Sequence, residues 1–458
     1  MFTSAEIAVI TSGTLFGSGD ALVTGISTDS RGIRAGELFV PLRGPRFDGH
    51  TYIPDVITKG VSVVLSGPEW AAAHDKVPGA ATVVVRDTLK ALGDIAAAWR
   101  ARFTLPVTGV TGSNGKTTTK EILASIMTLT GPGLKTAGNL NNLIGLPQML
   151  FQLKSCHSWA VLEMGMSEPG EIDRLAEIAR PEVGIITNAF PAHLESMGSV
   201  ENVARAKGEL FHRLLPGGAA VYNADDPLIA ALPTEPGVIR RSFGLAAGEV
   251  TATAVTPCGL EGQQFTLHLM AGRLPVRFAG CGRHFLANAL AAAAAAEVLG
   301  IEPEIIRAGL EQFRPGDRRF AAEKLGPLTV VNDSYNANPA SMAAALETLT
   351  EVGTGRIIAA LGDMLELGQD AEELHRMLGR QAGKVASRLY LIGDMAPIVA
   401  ESALREGLAP SAISIGMTHD EIAADVMQNV QSGDLLLVKG SRGMAMDRIV
   451  HAIKELKS

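Results

Sequence analysis

One short run carries more chemistry than any other in the chain: Thr111-Gly112-Ser113-Asn114-Gly115-Lys116-Thr117-Thr118. Gly112 and Gly115 let the backbone turn tightly and bring its N–H groups onto the oxygens of a phosphate chain. Lys116 is spaced to reach the β- and γ-phosphates of a nucleotide, and the Thr117 hydroxyl to ligate Mg²⁺. The strict Walker spacing is not met, because Val110 stands where its first glycine belongs and the nearest earlier glycine is Gly109. Context compensates for that mismatch. A buried-type strand (LPVTGV) precedes the run and a good helix (TTKEILASIMTL) follows it, the strand–loop–helix that such a loop requires. The competing reading is a glycine-rich turn with a solvated lysine.

The elements that must position this loop read as an alternation of strands and helices. Short strands are expected at 37–44, 61–65 and 81–85, then a helix over 87–103. Strand-like runs at 159–165 and 183–189 flank the helical EIDRLAEIAR, which implies a mainly parallel sheet with right-handed crossovers. An alanine-rich helix over 284–299 ends at Gly300, a residue suited to the turn after a helix, and reads as a helix packed closely against its neighbours. After Arg314-Pro315-Gly316-Asp317 the alternation restarts through LTVVND, SMAAALETL, RIIAALGDM, a helix near 371–386, LYLIGD and DLLLVKGS. The fold class is α/β with three domains: a small α/β domain at 1–85, a central P-loop domain with a mainly parallel sheet at 86–315, and a Rossmann-like domain at 316–458. At about 150 residues per domain, 458 residues give the same number.

Composition removes several classes of function. The net charge of −8 and a pI of about 5.8 leave no footprint for nucleic acid. Cys156, Cys258 and Cys281 are widely spaced with no CxxC pair, which argues against a disulfide scaffold or a zinc finger and for a reducing compartment. The amino terminus lacks the basic region and continuous apolar core of a signal peptide, and no apolar run approaches the ~20 residues needed to span a bilayer. A cytoplasmic monomer without membrane insertion is expected.

The TGSNGKT form of the loop, in series with other motifs, resembles the Mur ligase superfamily, ATP-dependent amide-bond-forming enzymes of peptidoglycan assembly. STDSR (27–31), FVPLRGPRFDGH (39–50), GNLNNLIGLP (138–147), LEMGMSEPGEI (162–172), AHLESMGS (192–199), ARAKGELF (204–211), NDSYNANPASM (332–342), ALGDMLELG (360–368) and VKGSRGMAMD (438–447) carry the likeness in order along nearly the whole chain. GNLNN, SYNANP and GDMLELG together are similar to the branch that joins D-alanyl-D-alanine to UDP-N-acetylmuramoyl-tripeptide. The resemblance implies an acyl phosphate made from ATP at the tripeptide carboxylate, which the dipeptide amine then attacks. Joining two anions demands a site rich in cations and donors.

The resemblance also implies roles for particular residues. Gly112, Ser113, Asn114, Gly115, Lys116, Thr117 and Thr118 would hold the nucleotide. Glu163, ending the strand AVLEMG at the ligand edge of the sheet, would ligate Mg²⁺, and His193 a second Mg²⁺. Lys207 would act near the phosphates, as a carbamate in the superfamily's common form; its bland reading is a solvated helix-face cation. Asn288 matches an adenine-contacting position, against the alternative of a buried asparagine satisfying its neighbours; the family's usual His-Asn start to this helix is His284-Phe285 here. Of Arg318 and Arg319, which match the arginine that reaches the ATP phosphates, Arg318 is favoured. Asp333 and Asn336 would face ATP, although Asn332 stands where the family has a second acid. Ser27, Asp29, Ser30 and Arg31 would bind the uridine diphosphate, and Asn139, Asn141 and Asn142 would line the muramoyl-peptide cleft. Lys439, Ser441 and Arg442 would attract the dipeptide carboxylate. Turn chemistry and a solvated basic loop are the alternatives for these last sets. The competing functions are a Mur-type ligase adding a single amino acid, a P-loop ATPase switch, and a sugar-nucleotide-binding protein without catalysis.

Overall fold

The computed structural model describes residues 1–74, 79–191, 194–353 and 355–457. Three α/β units follow one another along the chain, each built on its own sheet. In the first, five strands run in the order Thr14–Phe16, Ala81–Val84, Val63–Ser66, Glu37–Phe39, Gly25–Ser27. All neighbours are parallel except the edge strand Thr14–Phe16. The strand expected over 37–44 stops at Phe39. Pro41 follows with no N–H to give a ladder, and Arg43–Gly44 turns away to pair with Phe47–Asp48. The helix Thr88–Arg100 then leads out of the unit, its first N–H groups capped by the Asp87 carboxylate.

The central sheet has six strands, all parallel, in the order Gly133–Lys135, Trp159–Glu163, Val107–Thr111, Val183–Ile186, Ala219–Asn223, Ile239–Phe243. Val107–Thr111 comes first in sequence yet lies inside the sheet. From there the chain winds toward one edge and later returns toward the other. The helices Lys116–Thr128 and Glu171–Ala179 consequently pack on opposite faces. Such a reversal opens a crevice at the carboxyl ends of the strands, where ligands bind in open α/β sheets. The strand interiors at Val107–Thr111 and Trp159–Glu163 are buried throughout, as parallel strands covered on both sides must be.

The alanine-rich helix Gly282–Val298 passes through the core of this unit, with Ala289 to Ala296 fully enclosed. Its small side chains let it approach the phosphate-loop helix and the sheet closely, and Gly300 at φ +75° ends it as expected. A three-stranded antiparallel sheet, Thr251–Pro257, Gln263–Leu269 and Gly272–Phe278, covers its far side. That sheet was not anticipated, although Gln263, Phe265, Leu267 and Leu269 alternate inward as half-buried strands do.

The last unit has the order Ala321–Leu325, Leu328–Asp333, Asp434–Lys439, Ile357–Gly362, Arg388–Ile392, Ile413–Ile415. Only the first pair, a hairpin around Gly326-Pro327, is antiparallel. Its four inner strands are those expected, whereas both edge strands are additional. Helices lie on both faces, giving two separate cores, and the carboxyl ends of Leu328–Asp333 and Asp434–Lys439 face the central unit. Among the described residues no helix is long and apolar enough to cross a membrane.

Candidate active site

The phosphate loop is shaped by what lies beneath it. A β-carbon on Gly112 (φ +151°) would stand 1.8 Å from Thr187 Oγ1, and one on Gly115 (φ +83°) 2.2 Å from Asn288 Oδ1. Only glycine fits either place. The helix Lys116–Thr128 begins directly after Gly115 with no side-chain cap, which leaves its first N–H groups for an anion. Thr118 is buried in that first turn. The loop is clamped from the neighbouring strand end. Ser113 N donates to Asn188 O at 3.0 Å, Asn114 N to Asn188 Oδ1 at 2.9 Å, and the Thr187 hydroxyl to Asn114 O at 2.5 Å. Ser113 and Phe190 also exchange hydrogen bonds. Thr187, Asn188 and Phe190 went unnoticed in the sequence, where small polar residues after a buried strand were the available signal.

Around Thr117 three side chains from distant parts of the chain converge. Its hydroxyl donates to Glu163 Oε2 at 2.7 Å and accepts from Arg319 Nη2 at 2.8 Å. The other carboxylate oxygen, Glu163 Oε1, accepts from Asn141 Nδ2 at 2.8 Å. Glu163 is 3% exposed. Asn141, expected to line the peptide cleft, instead holds the carboxylate, because its carboxamide packs over Gly165 at the end of the same strand. Lys116 folds back to donate to Gly112 O at 2.7 Å. Burial lowers its pKa, a tendency that Glu163 opposes and the charge of Arg319 reinforces. Lys207, on the helix Val200–His212, is buried rather than solvated. Burial, and then the positive charge of Lys116, push its pKa well below the usual lysine value. His193 lies outside the described residues.

The arginine facing the loop is Arg319, not Arg318. Positive φ at Arg318 (59°) and Phe320 (53°) reverses the chain twice. Arg319 therefore points into the site, lying 3.9 Å over the Tyr335 ring, while Arg318 points out to Asp447 at 3.2 Å. Asp333 accepts from Phe320 N at 3.0 Å and from Lys439 Nζ at 2.6 Å. Lys439 is 2% exposed and also donates to Asn336 O at 3.1 Å. Its ammonium is thus neutralised inside the protein and fixes the 333–336 loop, a correction to its expected place on a ligand carboxylate. Asn336 Oδ1 is occupied by Arg442 N at 3.2 Å. Ser441 is buried, accepting from Leu365 N at 2.9 Å. Arg442 is exposed beside it. Asn332 is occupied locally by Ser334.

Asn288 accepts from the Thr119 hydroxyl at 3.3 Å and packs under Gly115, so it supports the loop from below. In the first unit, Ser27, Asp29, Ser30 and Arg31 form one turn, with Asp29 and Arg31 exposed and the two serines half-buried. Arg31 donates twice to the Asp29 carboxylate (2.9 and 2.8 Å) and holds its pKa down to about 2. Ser27 bonds the Asp29 backbone, and Lys59 reaches Ser30 O at 2.6 Å. Thr28 in that turn accepts from Gln148 of the central unit at 3.0 Å. Asn142 Oδ1 accepts from Gly145 N at 2.8 Å, at the start of the helix Gly145–Leu150, and Asn139 is exposed.

Comparison with known proteins gives this geometry a family. Three family models match in order: the Mur ligase family catalytic domain over residues 22–100, the Mur ligase middle domain over 110–296, and the Mur ligase glutamate ligase domain over 318–442. The UDP-N-acetylmuramoyl-tripeptide–D-alanyl-D-alanine ligase of Bacillus subtilis (strain 168) is 35% identical, with 99% of this chain and 98% of that one covered. The chain belongs to the Mur ligase family. Among solved structures, MurF from Acinetobacter baumannii matches this Mur ligase with a TM-score of 0.90 at 33% identity, covering 99% of both chains. MurF ligase from Thermotoga maritima, in complex with ADP, matches it with a TM-score of 0.84 at 28% identity, covering 96% of this chain and 99% of that one.

Proposed function

We propose that this Mur ligase joins D-alanyl-D-alanine to UDP-N-acetylmuramoyl-tripeptide in peptidoglycan precursor synthesis, converting ATP to ADP and phosphate through an acyl phosphate. The observation that carries this reading is the convergence of Lys116, Thr117, Glu163 and Arg319 at one glycine-bounded loop, in a chain that matches ligases of this name along nearly its whole length. Loop N–H groups and the helix start bind the phosphates, and Lys116 leaves its backbone carbonyls to meet the outer ones. Arg319 faces the γ-phosphate as charge develops on it.

The donor set suits Mg²⁺. Thr117 Oγ1 and Glu163 Oε2 are hard oxygens 2.7 Å apart. Among the described residues no group of three or more His, Cys, Asp or Glu could hold a metal alone, so Thr117 and Glu163 would hold Mg²⁺ together with the bound nucleotide. Mg²⁺ there would neutralise phosphate charge as the carboxylate attacks. His193 and a carbamylated Lys207 would serve a second Mg²⁺. Burial, by lowering the Lys207 pKa, favours the neutral amine, the form that can attack CO₂, forming the N–C bond and losing a proton. Ser27, Asp29, Ser30 and Arg31 form the uridine diphosphate turn, and Asn139 and Asn142 border the peptide cleft. The exposed Arg442, beside Ser441, takes the dipeptide carboxylate. The three domains divide at 85/86 and 315/316, and the enzyme works as a cytoplasmic monomer.

Phosphate release is the test. It should require both UDP-N-acetylmuramoyl-tripeptide and D-alanyl-D-alanine. Release with a single D-amino acid at equal efficiency would reassign the ligase, and release without either co-substrate would make the protein an ATPase switch.

A further inference from the structure

Among the described residues, two side-chain contacts cross from the phosphate loop to the last unit. One is Arg319 on Thr117; the other is a reciprocal amide pair. Asn114 Nδ2 donates to Asn338 Oδ1 at 3.0 Å, and Asn338 Nδ2 donates back to Asn114 Oδ1 at 2.6 Å. Both partners are held rigidly from behind. Asn114 has its backbone N bonded to Asn188 Oδ1 at 2.9 Å and its carbonyl to the Thr187 hydroxyl at 2.5 Å. Asn338 is the N-cap of the helix Pro339–Val352, its Oδ1 accepting from Ser341 N at 2.9 Å while Ser341 Oγ accepts from Asn338 N at 3.0 Å. The same 333–338 segment is bonded onward to the carboxyl end of the last sheet. Lys439 Nζ donates to Asn336 O at 3.1 Å, the Ser441 hydroxyl to Ala337 O at 3.3 Å, and Arg442 N to Asn336 Oδ1 at 3.2 Å. One unbroken hydrogen-bonded path therefore joins the loop that takes ATP to the strand end that faces it.

We infer that Asn338 is a positioning residue: by pairing with Asn114 it fixes the carboxy-terminal unit over the phosphate loop, so that the acyl phosphate is made with the dipeptide site already in place. This rests on the ligase reading above. Without the pair Arg319 still anchors the near edge of the carboxy-terminal unit at Thr117, so the loop phosphorylates the tripeptide, but the rest of that unit is less firmly seated. Water then attacks the acyl phosphate, returning the carboxylate and free phosphate without an amide bond.

The test separates this role from helix capping. Asn338→Asp keeps a side chain as good at an N-cap as asparagine. It has no donor for Asn114 Oδ1, however, and sets a carboxylate oxygen against it. In a two-channel assay of the full-length enzyme with ATP, UDP-N-acetylmuramoyl-tripeptide and D-alanyl-D-alanine, the wild type should release one phosphate per amide formed. Asn338→Asp should raise the ratio of acyl-phosphate hydrolysis to amide formation about five- to tenfold, the factor expected from losing one net hydrogen bond, with a raised KM for the dipeptide and an unfolding temperature close to wild type. Asn338→Ala should uncouple the enzyme and lower its unfolding temperature as well, because it also loses the cap. If the wild type is coupled and Asn338→Asp stays coupled with an unchanged dipeptide KM, the positioning role is overturned while the ligase reading stands. If the wild type itself releases phosphate without the co-substrates, the ligase reading fails and takes this inference with it.

Discussion

Replacing Gly115 by alanine asks whether the phosphate loop is held in shape by Asn288. Gly115 sits at φ +83°, and an added β-carbon would lie 2.2 Å from Asn288 Oδ1. Holding an L-residue in the left-handed region costs about 1–2 kcal/mol. Pushing Asn288 aside adds an overpacking cost of about 1–3 kcal/mol. The asparagine has little room to yield, being 7% exposed and bonded to Thr119 at 3.3 Å. Gly115→Ala should therefore lose about 2–5 kcal/mol in urea unfolding without nucleotide. Asn288→Ala alone should lose about 1–2 kcal/mol, from the missing hydrogen bond and the space left behind. In the double variant the overpacking disappears and only the backbone cost and the asparagine's own loss remain. It should be more stable than the sum of the singles by the overpacking term, about 1–3 kcal/mol. Strict additivity, or a Gly115→Ala protein within about 0.5 kcal/mol of wild type, would refute the idea that this contact shapes the loop.

Three further outcomes follow from the same geometry. Arg319→Ala should lower kcat/KM about 10²–10³-fold, the scale of losing one donor to developing charge, whereas Arg318→Ala removes only an exposed ion pair and should cost less than about threefold; steady-state kinetics that reverse this ranking would contradict the assignment. Lys207→Arg should abolish turnover, since a guanidinium stays charged at any working pH, and intact mass in CO₂-saturated buffer should show the wild type, but not this variant, carrying one added CO₂. Burial depresses the His284 pKa from 6.5 to about 4, with Asp333 opposing the shift and Lys439 adding to it. The unfolded chain thus binds its proton first as pH falls, so the stabilisation is complete above pH 6.5 and is lost down to about pH 4. The loss should be about 2 kcal/mol, less than full linkage because the ring is only half-buried; urea midpoints of a His284→Gln variant that keep the wild-type slope across this window would assign the pH dependence elsewhere.

What the sequence revealed follows from which signals are local. The strand–loop–helix at 107–128 is legible because its glycines, its apolar strand and its helix formers all act within a few residues. The inner strands of the last unit are legible because burial on both faces makes them continuous apolar runs, as in Leu435 to Val438. The antiparallel sheet over 251–278 is less legible because only Gln263–Leu269 shows a clean alternation, while Thr251–Pro257 is largely exposed. Side-chain targets were the least legible. Asn141 was expected to face substrate and holds Glu163 instead. Lys439 resembles a ligand-binding cation and is an internal one. The choice between Arg318 and Arg319 turns on two positive φ angles that no residue type signals. Asn338 was overlooked because its partner lies 224 residues away.

The central claim is that the tripeptide carboxylate attacks the γ-phosphate of ATP at this loop, and its oxygen can be followed. UDP-N-acetylmuramoyl-tripeptide carrying heavy oxygen in its terminal carboxylate is turned over with ATP and D-alanyl-D-alanine, and the released phosphate is weighed by mass spectrometry. An acyl phosphate transfers one carboxylate oxygen to every phosphate released alongside an amide. Phosphate free of the label, with amide still formed, would contradict the account.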